Sequence, residues 1–391
     1  MTPAITLAVA SVLAGLLALG WLERRSRDRA HGRVRIRVHV NGSRGKSTVT
    51  RLIAAALRAA GHRTVAKTTG TAPRLILPDG SERPIRRRAP ASIREQLWVL
   101  REACRLGADA LVVECMAIDP PLQRASEREM IRATIGVVTN VRPDHGDVMG
   151  LTAGEVADAL AHGLPEGAVI VLGETAHAGA FTRVAGRLGS RVVDAVAARE
   201  AVDAHPGTAG AAPWHRQNLA AALAVTREIG IPDAVALGAM LAAPPDPGAM
   251  TVRTGRIADR DVTLVDGSAA NDPDSLQLIL ASVPATGARL FVFNHRADRP
   301  LRLRQFAAAP LWAEEGVSVL VTGDAPDRGT RRRVERALRG ARPGFAPASR
   351  LARTLGERLA HDAQIATVVF CGNTKGFDVN AVVHAAVGVP S

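Results

Sequence analysis

Aromatic residues and cysteines are scarce in this chain of 391 residues. Phe, Trp and Tyr together make up 3% of it, and Tyr is absent. This scarcity argues against the stacking platforms that bind single-stranded nucleic acid. Cys104, Cys115 and Cys371 show neither a CxxC motif nor the spacing of metal ligands, so we expect free thiols in a reducing compartment. From the scarcity of aromatic residues we predict no nucleic-acid partner.

Lysine is nearly absent from a strongly basic chain. The formal net charge is +13, and the 50 cationic residues comprise 47 Arg and only three Lys. Lys46, Lys67 and Lys375 each stand beside Gly or Thr, in the loop-like segments GKST, AKTTG and NTKG. Because Lys binds phosphate as a point charge, these positions predict contacts with an anionic ligand. The charge alone fits a nucleotide, an acidic lipid, an acidic polymer or nucleic acid.

The N-terminal segment predicts a membrane anchor. Ile5 to Leu22 is an uncharged run of eighteen residues, about long enough to span a bilayer core. Seven arginines follow between Glu23 and Arg37 and none precedes, which places the rest of the chain in the cytoplasm. A cleaved signal peptide has the opposite charge order, and a buried core helix fits the arginine flank poorly. We expect a single-pass protein of the cell membrane, with residues 1–30 as anchor and basic linker.

The remaining pattern predicts two α/β domains. Short apolar runs alternate with helical periods, which indicates parallel sheets covered by helices on both faces. The proline-rich segment Ala242–Gly248 interrupts both periods, so we predict a central domain at 31–248 and a smaller Rossmann-like domain at 249–391. The basic cluster from Arg331 to Arg339 is expected to be a solvated helix face. Strands are predicted at 34–40, 110–113, 134–139, 169–172, 191–193, 262–265, 290–293, 317–321 and 366–370.

A glycine-rich loop joins the first predicted strand to a helix predicted at 47–60. Such a loop lets backbone N–H groups approach phosphates, and the following helix N-terminus favours negative charge. Val40 stands where the longer phosphate-loop consensus has its first Gly, and a serine-capped turn is the alternative. The loop predicts nucleotide binding by Asn41, Gly42, Ser43, Arg44, Gly45, Lys46, Ser47 and Thr48.

Two later strand ends predict metal ligands. Glu114 follows the apolar run Ala110–Val113, and the carboxyl ends of strands in such sheets form the ligand side. His145 follows the next strand, between Asp144 and Asp147. A carboxylate and a hydroxyl suit Mg²⁺, which prefers oxygen ligands. We therefore predict Ser47, Glu114 and His145 as metal ligands, with a purely structural His145 as the alternative.

These motifs together resemble the Mur ligase superfamily of ATP-dependent amide ligases. The segments GSRGKST, VVECM and TNVRPDHGD match its short phosphate loop, its later Glu and its DHxD segment. VDGSAANDPDS resembles the segment that opens the C-terminal domain of folylpolyglutamate synthetases. The resemblance implies a Mur-ligase-like central domain in which Asn218 touches the adenine. It also implies that Arg256, in the pair Gly255-Arg256, reaches the nucleotide from the second domain.

A narrower resemblance covers nearly the whole chain. The apolar anchor, VHVNGSRGKSTVTRLI, VAKTTGTA, PIRRRAPASIREQ, ALVVECMAIDP and CGNTKG look like the ligase subunits of poly-γ-glutamate synthases. That family implies glutamate and poly-γ-glutamate as substrates, small membrane subunits as partners, and capsule synthesis at the cytoplasmic face. Three features depart from the superfamily. The UDP-sugar domain is missing, Leu160 stands where many members carbamylate a lysine, and Asn271 or Asp272 replaces an expected His.

The chemistry implied is an acyl-phosphate route to an amide. Lys46 would contact the outer phosphates of ATP, Ser47 and Glu114 one Mg²⁺, and Glu114 with His145 a second, while Arg256 stabilises the transition state. We expect three segments to hold the substrate: the one after Lys67, the arginines at 86–88, and the one around Lys375. The alternatives are a solvated basic loop near lipid for the arginines and a plain β-turn for the segment around Lys375. These substrate residues are Lys67, Thr69, Arg86, Arg87, Arg88 and Lys375.

Two other functions stay open from the sequence. A membrane-anchored phosphate-loop NTPase shares the loop, although Glu114 stands where such an enzyme is expected to carry Asp. A ligase of the same superfamily that uses another amino acid shares every motif. The dependence of ADP formation on an amino acid separates a ligase from an NTPase, since only the NTPase hydrolyses ATP without one.

Overall fold

The structure is a computed structural model, and it divides into two compact units. The first comprises residues 1–211 and 215–244, and the second residues 212–214 and 245–391. Arg88 and Lys375, predicted to bind substrate, lie outside the described residues, as do Asp144 and Asn271. The residues described are 3–69, 73–87, 91–143, 145–246, 250–268, 270, 272–283, 287–313, 315–373 and 377–387.

The first unit is built on a mixed sheet. Among the described residues eight strands pair in the order β4-β3-β2-β5-β1-β6-β7-β8. Strands from β2 to β8 in that order are parallel, whereas β2, β3 and β4 pair antiparallel. The strands are β1 Ile36–Asn41, β2 Thr64–Lys67, β3 Arg74–Ile76, β4 Glu82–Pro84, β5 Ala110–Glu114, β6 Ile135–Val138, β7 Val169–Leu172 and β8 Arg191–Asp194.

The predicted parallel sheet is observed, with an antiparallel addition at one edge. The chain turns back at Gly80, whose φ of 85° suits glycine, and forms a short meander instead of a crossover. Lys67 ends strand β2 and is fully buried, so it does not lie in a loop as its sequence context suggested. The meander places the segment after Lys67 beside the carboxyl end of β5.

Helices cover both faces of this sheet. Apolar residues of α2, α8 and α9 pack on one face with Val38 and Val40 of β1, and α3 packs on the other. The helices are α1 Pro3–Arg33, α2 Lys46–Ala59, α3 Glu95–Arg105, α4 Pro120–Ala125, a π-helix Ser126–Ile131, α5 Ala153–Ala161, α6 Ala178–Arg187, α7 Val196–Ala204, a 3-10 turn Pro206–Thr208, α8 Pro213–Ile229 and α9 Asp233–Ala242.

Helix α1 runs without a break from the apolar segment into the first unit. The stretch at 23–30, expected to be a linker, is helical, and Ala30 is buried in the core beneath α3. Arg27 Nη1 donates to the Glu129 carbonyl at 3.0 Å, and His31 Nε2 lies 2.9 Å from the Met130 carbonyl. Within the described residues no helix combines the length and hydropathy of a membrane span. The side chains at 5, 6, 8 and 9 lie outside that description, and the anchor stays a prediction.

The second unit is a six-stranded sheet with the order β13-β12-β11-β14-β10-β9 among the described residues. Its pairs are parallel except the antiparallel pair β9 and β10. Asp272 caps helix α10 by accepting from Ser275 N at 2.8 Å. The elements are β9 Thr251–Ile257, β10 Arg260–Asp266, α10 Pro273–Ala281, β11 Ala288–His295, α11 Pro300–Ala307, a 3-10 turn Pro310–Ala313, β12 Val317–Gly323, α12 Arg328–Ala337, a 3-10 turn Arg339–Ala341, β13 Gly344–Phe345, a 3-10 turn Ala348–Arg350, α13 Leu351–His361, β14 Ile365–Cys371 and α14 Val379–Val387.

Candidate active site

The glycine-rich loop between β1 and α2 has the geometry of a phosphate site. Gly42 and Gly45 have φ angles of 123° and 78°, which residues with a Cβ rarely adopt. Gly45 is the N-cap of α2 and offers no side-chain acceptor, and the helical bonds begin with Val49 N donating to Gly45 O at 2.8 Å. The first N–H groups of α2 are therefore left for an anion.

The loop after β6 holds the phosphate loop in shape. Arg44 N donates to Asn140 Oδ1 at 2.9 Å, and Ser43 N donates to the Asn140 carbonyl at 3.0 Å. Thr139 Oγ1 donates to the Arg44 carbonyl at 2.6 Å. A Cβ on Gly42 would lie 2.2 Å from Thr139 Oγ1. These contacts fix the backbone of the loop before any ligand binds.

The ammonium of Lys46 folds back over this loop. Its Nζ donates to the Gly42 carbonyl at 2.7 Å and to the Ser43 carbonyl at 3.2 Å. An ammonium carries three N–H donors, so this arrangement keeps the charge above the uncapped helix end with a donor left for a ligand. The position suits a contact with the outer phosphates of a nucleotide.

Ser47 and Glu114 bring two oxygen ligands together. Ser47 Oγ donates to Glu114 Oε2 at 2.8 Å, although the two residues lie 67 positions apart in sequence. Thr69 N donates to the same carboxylate oxygen at 2.7 Å, and Gln96 Nε2 donates to the Glu114 carbonyl at 3.1 Å. Glu114 is only 3% exposed. A buried carboxylate beside a hydroxyl fits a hard divalent cation such as Mg²⁺, which keeps its remaining positions for water and phosphate.

His145 lies in the loop after β6, in the left-handed region with a φ of 49°. Its carbonyl accepts from Val148 N at 2.8 Å, which makes it the start of a tight turn. Within the described residues, no group of three or more His, Cys, Asp or Glu side chains could hold a metal. A second metal shared by His145 and Glu114 stays a prediction.

Asn218 of α8 lies against the phosphate loop. It is 7% exposed, and a Cβ on Gly45 would stand 2.3 Å from its Oδ1. The absence of a side chain at Gly45 is therefore what lets α8 approach. The structure brings Asn218 to the predicted nucleotide site, 173 positions after Gly45 in the sequence.

Two of the cations predicted to bind substrate converge on one carboxylate. Lys67 Nζ lies 3.3 Å from Glu95 Oε2, and Arg87 binds Glu95 with two bonds of 2.7 and 3.1 Å. Burial lowers the pKa of the Lys67 ammonium, although Glu95 opposes the effect. Burial raises the pKa of Glu95, but Arg87 and Lys67 outweigh it and hold that pKa below its usual value.

Two other predicted residues are exposed. Arg86 is exposed in the segment before residue 88. Arg256 belongs to β9 of the second unit, is 70% exposed, and lies 4.0 Å from Asp259. The role of Arg256 in closing on the nucleotide stays a prediction.

Sequence reasoning missed two carboxylates that shape the site. Glu95 is the first residue of α3, a common place for an acidic residue, and its pattern gave no sign of the Lys67 and Arg87 partners. Glu174 follows β7 and accepts from Val141 N at 2.7 Å and from Arg142 Nη1 at 2.8 Å. The position of Glu174 just after a buried strand is the one signal that could have found it.

A buried polar row joins β1 to the helices after Glu114. Asn41 Nδ2 donates to Gln123 Oε1 at 2.8 Å, and His39 Nδ1 lies 2.6 Å from Glu127 Oε2. Burial alone would lower the pKa of the His39 imidazole, but Cys115 and Glu127 outweigh it and raise the pKa to about 10. His39 and Glu127 therefore form a buried charged pair, and His39 belongs to the strand that leads into the phosphate loop.

Comparison with known proteins identifies both units. The Mur ligase middle domain matches residues 40–205, and the poly-gamma-glutamate synthase CapB C-terminal domain matches residues 251–385. PGA synthase CapB of Bacillus subtilis (strain 168) is 36% identical over 80% of this chain and 80% of its own length. Capsule biosynthesis protein CapB of Bacillus anthracis is 38% identical over 75% of this chain and 64% of its own length.

A solved structure extends the likeness to the whole fold. A bifunctional folylpolyglutamate synthase/dihydrofolate synthase with Mn, AMPPNP and L-glutamate bound superposes with a TM-score of 0.58. It is 18% identical and covers 88% of this chain and 90% of its own length. Fold, phosphate loop and family matches together define an ATP-dependent amide ligase of the Mur type. The chain belongs to the CapB family of poly-gamma-glutamate synthases.

Proposed function

We propose that this enzyme lengthens poly-γ-glutamate by forming γ-linked amides through a γ-glutamyl phosphate, with Mg²⁺ as its metal. The observation that carries the proposal is the contact between Ser47 and Glu114 at the uncapped start of α2, in a chain of the CapB family. That contact joins a phosphate loop to a metal ligand, as phosphoryl transfer requires.

Phosphoryl transfer depends on positioning and on charge. The uncapped N–H groups of α2 and the Lys46 ammonium would hold the outer phosphates, and Ser47 and Glu114 would hold the cation. Ser47 and Glu114 would place that cation where it would supply positive charge to the transferred group. Asn218, which is already packed on Gly45, would support the nucleotide from α8.

The acceptor carboxylate needs cations of its own. Lys67 and Arg87 both bind the carboxylate of Glu95, which gathers two cations of the predicted substrate set between β2 and α3. Thr69 lies at the start of this segment and donates to Glu114. We assign these residues, with Arg86, Arg88 and Lys375, to the glutamate or polymer end. Phosphorylation of its γ-carboxylate creates the leaving group.

Amide formation then follows from the acyl-phosphate. The α-amine of the incoming residue attacks the γ-carbonyl carbon, a C–N bond forms, and the C–O bond to phosphate breaks. Inorganic phosphate leaves, and the amine loses a proton to solvent or to a base. The products are ADP, phosphate and a polymer longer by one residue.

The location of the enzyme is part of the proposal. The apolar run at 5–22 and the seven arginines after it support a single-pass anchor with both units in the cytoplasm. Small membrane subunits and acidic lipid are the expected partners. The test uses a reporter that works only outside the cytoplasm, fused after Ser391. Activity of that reporter would contradict this orientation.

The first prediction tests the reaction itself. Membranes that contain the chain and its partner subunits should form ADP from ATP and Mg²⁺ only when glutamate is supplied. Lys46→Ala should lower this rate by at least about a hundredfold, because it removes a charge that stabilises the transferred phosphoryl group. The matched control is Arg105→Ala, which removes an exposed cation that binds Glu102 on the surface of α3.

Two outcomes would change the proposal in different ways. Amide formation with another amino acid but not with glutamate would overturn the substrate and leave the ligase standing. Hydrolysis of ATP at an equal rate without any amino acid would favour the NTPase alternative.

A further inference from the structure

Helix α12 of the second unit carries a row of exposed arginines. Arg328, Arg332 and Arg336 follow one another at intervals of four residues, and Arg339 continues the row in the next turn. All four side chains are exposed. The segment 328–342 contains seven Arg and one Glu, so its net charge is +6. We call Arg328, Arg332, Arg336 and Arg339 the arginine row.

The fold of the second unit does not use this row. The buried residues of α12 are Thr330 and Val334, which lie on the opposite side of the helix. Within the described part of the chain, no hydrogen bond or ion pair is made by the side chain of any member of the row. Arg331 differs, because it binds Glu335 at 2.9 Å and lies 4.4 Å from the centre of the Phe345 ring.

Like charges at such spacing act against the helix. Cations four residues apart on one face repel one another and destabilise an isolated helix. The chain could place Glu among them, as it does at Glu335 beside Arg331. A row of unpaired cations that the fold does not use therefore points to an anion outside the chain.

The spacing of the row matches a γ-linked polymer. Four residues of α-helix rise about 6 Å, which is the distance along the axis from Arg328 to Arg332 and from Arg332 to Arg336. An α-linked residue has three chain atoms and spans at most about 3.6 Å, so a γ-linked residue with five spans roughly 6 Å. Each γ-linked glutamate also keeps one free α-carboxylate. The spacing of carboxylates along an extended γ-linked chain is therefore close to that of Arg328, Arg332 and Arg336 along α12.

We propose that the arginine row of α12 binds the growing poly-γ-glutamate chain, at a site separate from the reacting end. This inference rests on the proposed function for the identity of the polymer. Arginine suits the role because its planar guanidinium binds carboxylates with two parallel bonds. A polymer held along α12 would stay with the enzyme between additions, so the row sets product length and not the rate of a single addition.

The test compares two variants of equal charge. R328Q/R332Q/R336Q/R339Q removes the row, and R105Q/R191Q/R227Q/R353Q removes four exposed arginines that bind acidic neighbours. Binding of fluorescent poly-γ-glutamate to the full chain in detergent is measured without ATP at low ionic strength. The row variant should bind about tenfold more weakly than the control variant, which is the effect of a few exposed ion pairs.

The polymer and the assay supply two further controls. Poly-α-glutamate of the same length should compete less well than the γ-linked polymer, because its carboxylates do not match the row. During synthesis the row variant should add glutamate to a γ-linked dimer at the wild-type rate and release shorter products.

The outcomes separate this inference from the proposed function. Normal ligation of glutamate with equal polymer binding by both variants would overturn the inference alone. Equal competition by α-linked polymer would overturn it too, because the row would then be a general basic surface. Loss of binding to phosphatidylglycerol vesicles, without loss of polymer binding, would make the row a lipid site. Failure of the wild-type chain to ligate glutamate would remove the proposed function first.

Discussion

At the scale of single residues, the site depends on a glycine that leaves room for a side chain from another helix. Gly45 has a left-handed backbone and faces Asn218 Oδ1. Sequence patterns predicted both residues as nucleotide ligands, but they could not show the contact, because it arises from the packing of α8 on α2. The contact means that the conformation of the phosphate loop and the position of α8 are set together.

The prediction for Gly45 separates backbone strain from this contact. Gly45→Ala should weaken ATP binding by about tenfold or more, since its Cβ pushes Asn218 away and costs about 1–2 kcal/mol in backbone strain. Gly61→Ala is the control, because Gly61 has a φ of 90° but open space around it. Nucleotide affinity is measured by titration calorimetry. Equal losses of affinity in both variants would show that the Asn218 contact has no role.

Glu114 gives the second prediction at this scale. Glu114→Gln keeps the shape of the side chain but removes the charge that would bind the cation, so higher metal concentrations should be needed. The maximal rate should fall by at least about a hundredfold, because metal ions supply several kcal/mol in such sites. A titration of ADP formation against Mg²⁺ measures both effects. Glu102→Gln, which loses only surface ion pairs with Arg83 and Arg105, should match the wild type.

The residues found by sequence and those missed differ in a physical way. Lys46, Ser47 and Glu114 stand at fixed places after strands, where a local pattern carries their chemistry. Glu95 acts through Lys67 and Arg87, and that relation exists only after the meander folds. Long-range ion pairs leave no local pattern in a single sequence.

At the scale of elements, β1 carries two different faces. Val38 and Val40 enter the apolar core, while His39 and Asn41 face Glu127 and Gln123. This face explains why a strand beneath the phosphate loop contains a histidine. The charged pair fixes the π-helix that contains Glu127 against the strand, and breaking one partner would leave the other charge buried.

The prediction for this pair is a stability that depends on pH. Glu127→Gln should lower the free energy of unfolding by about 3–5 kcal/mol near neutral pH, because the His39 charge loses its partner. Cys115, and after it Glu127, raise the pKa of His39 from 6.5 to about 10, so Glu127→Gln removes part of this shift. The stabilisation of the fold that follows from this raised pKa is therefore complete below pH 6.5, and it is lost as pH rises through about 10. Urea unfolding measures the free energy of unfolding of the wild type and of Glu127→Gln across this pH range. The difference between the two should shrink as pH rises, and a constant difference would contradict the prediction.

Most long strands were predictable, and the short ones were not. The strand Val169–Leu172 was predicted with its observed bounds, and the other predicted strands overlap observed ones, because a continuous or alternating series of apolar residues marks a strand. Strands β3, β4 and β13 contain two or three residues and form at sheet edges. These strands form because of the turns before them and the strands beside them, and the spacing of apolar residues does not indicate either.

At the scale of the whole molecule, α1 links an apolar segment to a folded unit. The sequence predicted an anchor followed by a linker, because the apolar run ends where the arginines begin. The helix itself continues through these arginines to Arg33. Ala30, His31 and Arg27 show that the basic stretch belongs to the first unit. The two compact units have separate apolar cores, so changes in α1 should act on the first of them.

The last prediction places the boundary of a removable segment. Deletion of residues 1–22 should change the stability of the first unit by no more than about 0.5 kcal/mol, because it spares the docked turns. Deletion of 1–33 should cost about 1–3 kcal/mol, since it removes Ala30 from the core and several hydrogen bonds, those of Arg27 and His31 among them. Thermal unfolding of the two truncated proteins measures the difference. Equal melting temperatures would show that the end of α1 contributes nothing.

The unbroken course of α1 has a mechanical consequence. A flexible tether lets a catalytic unit wander over a wide area and rotate freely, whereas a docked helix acts as a rigid post. With its apolar part in a bilayer, α1 would hold the first unit close to the end of that part, because Arg27, about 7 Å along the helix from Leu22, already bonds to that unit. Every addition would then occur at one height above the lipid. A polymer made there would leave the enzyme in a fixed place.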